Sequence, residues 1–142
     1  MTGLTGFFRI NKTAMMDLPD KELTKKIIAC AYIVHNALGT GFLEKVYENA
    51  MLVEMGSQCI KVRRQVPLTV CYRDQVVGEY FADLLVEGRV ICEIKAVEAL
   101  LKNHEVQLVN YLVATGIDTG LLINFGNSVT VRRKFRIYNK PL

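Results

Sequence analysis

Apolar residues along the chain follow a helical period up to about Met55, alternate from Gln58 to Ala96, and return to a helical period after Asn103. Asp17-Leu18-Pro19-Asp20 carries helix-start chemistry, and Leu23, Ile27, Ala31, Val34 and Leu38 then recur at helical spacing through Glu22 to Leu38, with Gly39 as the stop. Ile28, Tyr32 and Ile33 widen the apolar surface, which predicts packing on more than one side. His35 reads as a core or boundary histidine. Thr40-Gly41 reopens the chain into a second helix, Phe42 to Met55, ended by Gly56. Glu44, Tyr47, Glu48 and Met51 share one face of it, and Leu43, Val46, Ala50 and Val53 another. Residues 1–16 are expected to be a poorly ordered arm, and 17–142 a single domain.

The alternating region predicts strands at Cys59 to Arg64 and Val66 to Tyr72, separated at Gln65 by a bend near Pro67. Arg73-Asp74-Gln75 turns the chain into Val76 to Val86, and Val90 to Ala96 follows. Asn103 is a suitable N-cap for a helix to Ala114 closed by Gly116, with His104, Gln107 and Tyr111 along one stripe and Val106, Leu108, Val109, Leu112 and Val113 buried beside them. Gly120 to Phe125 and Val129 to Tyr138, joined by Gly126-Asn127-Ser128, are the last strands.

The register between the third and fourth strands can be tested on the pattern itself, because a slip of one residue sends every side chain to the other face. A two-residue turn at Glu87-Gly88 sets Asp83 opposite Cys92 and mixes charge with apolar side chains on both faces. A three-residue loop, Glu87-Gly88-Arg89, sets Asp83 opposite Glu93. Ala82, Leu84, Val86, Val90, Cys92 and Ile94 then form one apolar face, while Asp83, Glu93 and Lys95 share the other with Phe81, Leu85 and Ile91. The odd register is therefore expected. Ionisable groups inside apolar strands are costly unless paired, and a metal ion would supply a partner for the two carboxylates.

Composition narrows this little. At 142 residues, 51% hydrophobic and 23% charged, the chain suits one globular domain. No apolar run is long enough for a membrane span, and the first residues lack the pattern of a secretory signal, which points to the cytoplasm. Cys30, Cys59, Cys71 and Cys92 contain no CxxC pair and read as reduced core thiols. A net charge of +4 permits a polyanionic partner without requiring one.

Asp83 followed by Glu93-Ile94-Lys95 resembles the carboxylate and (D/E)-x-K strands of the PD-(D/E)XK nuclease superfamily, with Ala82 where the proline would stand. Gly41-Phe42-Leu43-Glu44-Lys45-Val46-Tyr47 matches the motif that names its GxxExxY family. Gln107-Leu108-Val109-Asn110-Tyr111 resembles the QxxxY motif of the RecB-type nucleases, and Leu121 to Gly126 the strand closing the core. The resemblance spans Glu22 to about Arg136. It implies an α/β, restriction-endonuclease-like core of αβββαβ type, with a mixed central sheet flanked by helices.

The implied activity is metal-dependent hydrolysis of phosphodiester bonds in DNA or RNA. Asp83 and Glu93, with the main-chain carbonyl of Ile94, would hold Mg²⁺ or Mn²⁺, since Mg²⁺ needs few carboxylates and keeps several waters. Lys95, about 7 Å along the strand from Glu93, would hold the attacking water or stabilise charge on the phosphate. Glu44 is either a first-turn carboxylate favoured by the helix dipole or an outer or second-metal ligand. Gln107 and Tyr111 would orient Lys95 or a phosphate. His104 and Tyr47 are candidate substrate contacts. An ion-pair network alone fits less well, because three carboxylates around one lysine leave negative charge that a cation would relieve.

Lys61, Arg63 and Arg64, and Arg132, Arg133, Lys134 and Arg136, alternate on strands, so about half of each set shares a face. Arg132 and Arg133 are the candidate phosphate contacts. The competing function is a module of the same fold that binds nucleic acid or a protein without cutting. A homo-oligomer or adaptor using an exposed strand edge is the third.

Overall fold

The computed structural model of the protein describes residues 20–136. The expected N-terminal arm, Asp17 to Pro19 and the end of the last predicted strand lie outside them. Two helices, α1 (Lys21–Leu38) and α2 (Glu44–Ser57), precede β1 (Val62–Tyr72), β2 (Gln75–Val86) and β3 (Val90–Lys95). Then come α3 (Lys102–Thr115), β4 (Thr119–Phe125) and β5 (Val129–Phe135). The five strands lie in sequence order, antiparallel except for the parallel β3–β4 pair, which α3 connects as a crossover.

Each sheet face has its own core. Helices α1 and α2 cover Leu84, Val86, Val90, Cys92, Ile94, Leu121, Ile123 and Phe125. Helix α3 covers Val66, Leu68, Ala82, Ile91 and Leu122 through Leu108, Tyr111 and Leu112. Close approach of α3 to β4 depends on Gly120, where a Cβ would stand 2.8 Å from Leu108 Cδ1. Ala82 thus lies beneath α3, not on the face of Leu84 as expected. The alternation breaks where Gln65, directly across from Asp83 in the β1–β2 register, takes a left-handed backbone (φ 48°). The bend predicted at Gln65 is therefore a kink within one continuous strand.

Both turns follow from backbone chirality. Arg73 and Asp74 are left-handed (φ 49° and 62°), which suits a tight hairpin between right-twisted strands. Glu87 and Gly88 are also left-handed (φ 53° and 67°), and Arg89 donates its N–H to the Val86 carbonyl at 2.9 Å. The three-residue loop gives the pairs Val86–Val90, Leu85–Ile91 and Leu84–Cys92, the odd register expected.

Helix α2 departs furthest from the pattern. It starts at Glu44, not Phe42, and runs through Gly56 to Ser57. Its buried residues are Tyr47, Glu48, Met51 and Met55, whereas Leu43, Val46 and Val53 face solvent. Large side chains won the buried face because their few polar atoms are satisfied. The Tyr47 hydroxyl donates to the Gly39 carbonyl at 2.7 Å and accepts the Phe42 N–H at 3.3 Å, while its ring stacks on Phe125 at 4.6 Å. Tyr47 is fully buried, which removes it from the substrate contacts and makes it the clasp of the α1–α2 loop.

Smaller corrections have equally local causes. Tyr32 and Ile33 are exposed, so α1 buries one stripe. Cys30 and Cys92 are buried but Cys59 and Cys71 are exposed, and all four are free thiols. Helix α3 starts at Lys102 with Leu101, not Asn103, as N-cap, and Val106 and Val113 are exposed. His35 is the boundary histidine expected, its Nε2 2.8 Å from the Gly126 carbonyl and its ring against Phe125. No helix among the described residues is long and apolar enough to cross a membrane.

Tyr47→Phe keeps the ring stack but leaves the partly buried Phe42 N–H and Gly39 carbonyl without the hydroxyl. It should cost about 1–3 kcal/mol in urea denaturation. An unchanged midpoint would show that the clasp contributes nothing.

Candidate active site

The β2–β3 ladder ends at Leu84–Cys92, one step short of the position where the same register would set Asp83 opposite Glu93. There the Ile94 N–H donates to Asp83 Oδ2 at 2.8 Å, so a side-chain carboxylate supplies the acceptor. Asp83 Oδ1 accepts from Gln65 Nε2 at 3.4 Å, and the same amide donates to Glu48 Oε1 at 3.0 Å. Two N–H donors on two elements, the Ile94 main chain of β3 and the Gln65 amide of β1, thus hold the two Asp83 oxygens from either side of β2.

Glu93 pairs across the sheet with Leu122, which lies beneath α3. It is 8% exposed, and its Oε1 has no hydrogen-bond partner among the described residues. Burial first, then the charge of Asp83 and hydrogen bonding to it, push its pKa up to about 9, and Lys95 pulls the other way. An uncompensated acid in this position holds either a proton or a cation. The donors fit a hard divalent ion: two neighbouring carboxylates, one with an orphaned buried oxygen, which waters and a main-chain carbonyl such as that of Ile94 would supplement. Among the described residues no three His, Cys, Asp or Glu side chains converge as a ligand cluster, so Glu44 does not complete such a set.

Lys95 ends β3, and its register partner on β4 is Asn124. Asn124 is buried; its Oδ1 accepts the Val97 N–H and its Nδ2 donates to the Val97 carbonyl, each at 2.9 Å. This pins the chain just beyond Lys95. Gln65, read from the sequence only as a bend, and Asn124, read only as part of the closing strand, are the residues whose place in the site the sequence did not single out. The available signals were an amide within each apolar strand and the β-period break at Gln65.

Glu44 is exposed on the rim of a cavity of about 440 Å³, which it lines with Phe42, Lys45, Glu48, Gln65 and Asp83. Glu48, one turn further and buried, is the closer neighbour of Asp83 through Gln65. Lys45 and Arg64 lie 3.5 and 3.9 Å from its carboxylate.

From the other face come Tyr111 and Gln107. Tyr111 is buried with Ala82, Ile91 and Leu122; burial, then Glu93, Tyr80 and Asp83, raise the pKa of its hydroxyl. Gln107 is exposed, and with Tyr111 it lines a second cavity, of about 670 Å³, separate from the one beside Glu44. His104 caps the start of α3, its Nδ1 accepting the Leu101 N–H at 3.1 Å. Arg132 and Arg133 are exposed on the outer strand β5, opposite Leu122 and Leu121, and so lie on different sheet faces. Lys134 is tied to Glu105 of α3 at 2.6 Å, a contact that lowers the Glu105 pKa.

The sequence profile of the PD-(D/E)XK nuclease superfamily matches residues 21–136, and the chain belongs to that superfamily. Among solved structures, the crystal structure of SSO0001 resembles it with a TM-score of 0.52 at 17% identity. The match covers 70% of this chain and 51% of that one, so this chain spans about half the other's length. At that identity the likeness concerns the fold alone, a mixed sheet flanked by helices as in restriction endonucleases. No curated protein matches the sequence.

The raised Glu93 pKa has a stability consequence. Below its ordinary value near 4.5 both folded and unfolded chains are protonated, and between there and about 9 the folded chain retains a proton that the unfolded chain has lost. In EDTA, stability should therefore fall as pH rises across that window, by up to about 1.4 kcal/mol per pH unit. Glu93→Gln should flatten the profile, and Mg²⁺ should flatten it for the wild type. Thermal melts between pH 5 and 9 measure this; equal slopes for both proteins would contradict it.

Proposed function

We propose that the protein is a metal-dependent phosphodiesterase of the GxxExxY group that hydrolyses nucleic acid. The buried Glu93 carboxyl beside Asp83, with one oxygen unpartnered, is the observation that carries this. Bound Mg²⁺ or Mn²⁺ would neutralise phosphate charge and lower the pKa of a water. Asp83, held by the Ile94 N–H and Gln65, and Glu93 would hold the ion with the Ile94 carbonyl. Lys95, next along the strand, orients the attacking water or stabilises the developing oxyanion. Glu44 on the cavity rim, and Gln107 and Tyr111 across the sheet, position substrate around it. His104 is retained as a substrate contact at the start of α3, and Arg132 and Arg133 as phosphate contacts.

The four free thiols among the described residues support a reducing compartment, hence the cytoplasm. A homo-oligomer through a strand edge would use β1 or β5, the outer strands.

The test is cleavage of labelled DNA and RNA panels with Mg²⁺, Mn²⁺ or EDTA. Lys95→Ala should lower the rate at least about 10²-fold. Glu93→Ala should abolish cleavage yet retain nucleic-acid binding, whereas charge reversal at Arg132 and Arg133 should weaken binding and flatten its salt dependence. Circular dichroism and melts exclude misfolding. Binding without cleavage under any ion, unaffected by Glu93→Ala, would favour the non-catalytic module instead.

A further inference from the structure

The cavity of about 670 Å³ on the far side of the sheet lies between the β1–β2 hairpin and α3. Its walls include Thr69, Cys71 and Tyr80 from the hairpin and Gln107 and Tyr111 from α3. No charged side chain is among its described lining residues, which disfavours a phosphate as occupant and favours a neutral, planar group. Tyr80 offers the flat wall: it is 45% exposed, and its ring is backed by buried Tyr111, centroids 5.6 Å apart. The ring lies across Gly78, where a Cβ would come within 3.1 Å of Tyr80 Cε2 and push the ring by a few tenths of an ångström. The Thr69 hydroxyl and Gln107 amide supply hydrogen-bonding groups of both senses beside this wall.

Tyr111, one wall of the cavity, links it to the carboxylate region by packing: it is buried in one cluster with Ala82 and Ile91, the neighbours of Asp83 and Cys92 in sequence, and with Leu122, the strand partner of Glu93. We propose that it seats one unpaired nucleobase of a single-stranded or locally opened nucleic acid, stacked on Tyr80 and read at its edge by Gln107 and Thr69. The proposal rests on the nucleic-acid hydrolase reading and names the strand state of its substrate.

Exposed Cys71 in the wall gives a readout independent of catalysis. In a Cys59→Ser background and in EDTA, an oligothymidylate should slow alkylation of Cys71, and the same sugar-phosphate chain without bases should not. Tyr80→Ala should weaken single-strand binding about 10- to 100-fold, Tyr80→Phe should retain it, and duplex binding should be unchanged by either. Equal protection by the two chains, or equal single-strand affinity of Tyr80→Ala and wild type, overturns the subsite. If base-dependent protection occurs but no divalent ion yields cleavage, the hydrolase reading fails and the subsite stands. If the protein cuts single strands equally well with and without Tyr80, the hydrolase stands and the subsite falls. Failure to bind any oligonucleotide overturns both.

Discussion

A single hydrogen bond, from the Ile94 N–H to Asp83 Oδ2, decides what kind of site this sheet can carry. Had the β2–β3 ladder continued, Asp83 and Glu93 would be one more cross-strand pair, two like charges directly opposed. With the side chain supplying the acceptor, the backbone group is satisfied and the strands need not stay in register beyond Leu84 and Cys92. The left-handed Gln65 directly across β2 provides the matching bend and holds the second Asp83 oxygen. The same break places Ala82 beneath α3 while Leu84 stays beneath α1 and α2.

Register was legible in the sequence because period-two alternation punishes a slip at every position at once. Asp83, Glu93 and Lys95 stood out as candidates for the same reason: they interrupt the apolar runs that flank the Glu87-Gly88-Arg89 loop. The buried face of α2 was not. Leu43, Val46 and Val53 look more apolar than Tyr47, Glu48 and Met51, but burial depends on partners that local sequence does not reveal: Gly39 and Phe42 for the tyrosine hydroxyl, and Gln65 for Glu48. Asn103 is a better N-cap than Leu101 by residue type, yet His104 satisfies the Leu101 amide from within the helix, which moves the start upstream. Gln65 was legible as a bend but not as a site residue, and Asn124 only as part of a strand, because their roles consist of contacts 17 to 27 residues distant.

The spacing of Gly41, Glu44 and Tyr47 also acquires a physical meaning. Tyr47 ties its hydroxyl to the loop between Gly39 and Phe42, and the left-handed Gly41 (φ 103°) lets that loop turn sharply. Three residues earlier on the same helix, Glu44 is carried to the cavity rim near Asp83. The tyrosine acts on the loop and the glutamate on the cleft, so one helical turn couples a folding contact to the site.

Charge then separates the acidic residues into two groups. Glu48 is buried, but Lys45 and Arg64 stand beside it and Gln65 donates to it, so its charge is compensated within the protein. Asp83 and Glu93 have Lys95 nearby, and burial still drives the Glu93 carboxyl toward its protonated form. The deficit of positive charge therefore falls on the β2–β3 opening and nowhere else along the Glu48–Gln65–Asp83 chain. A proton would relieve it; a divalent cation would relieve it while leaving both carboxylates ionised, which is the state that binding and activating water at a phosphate requires.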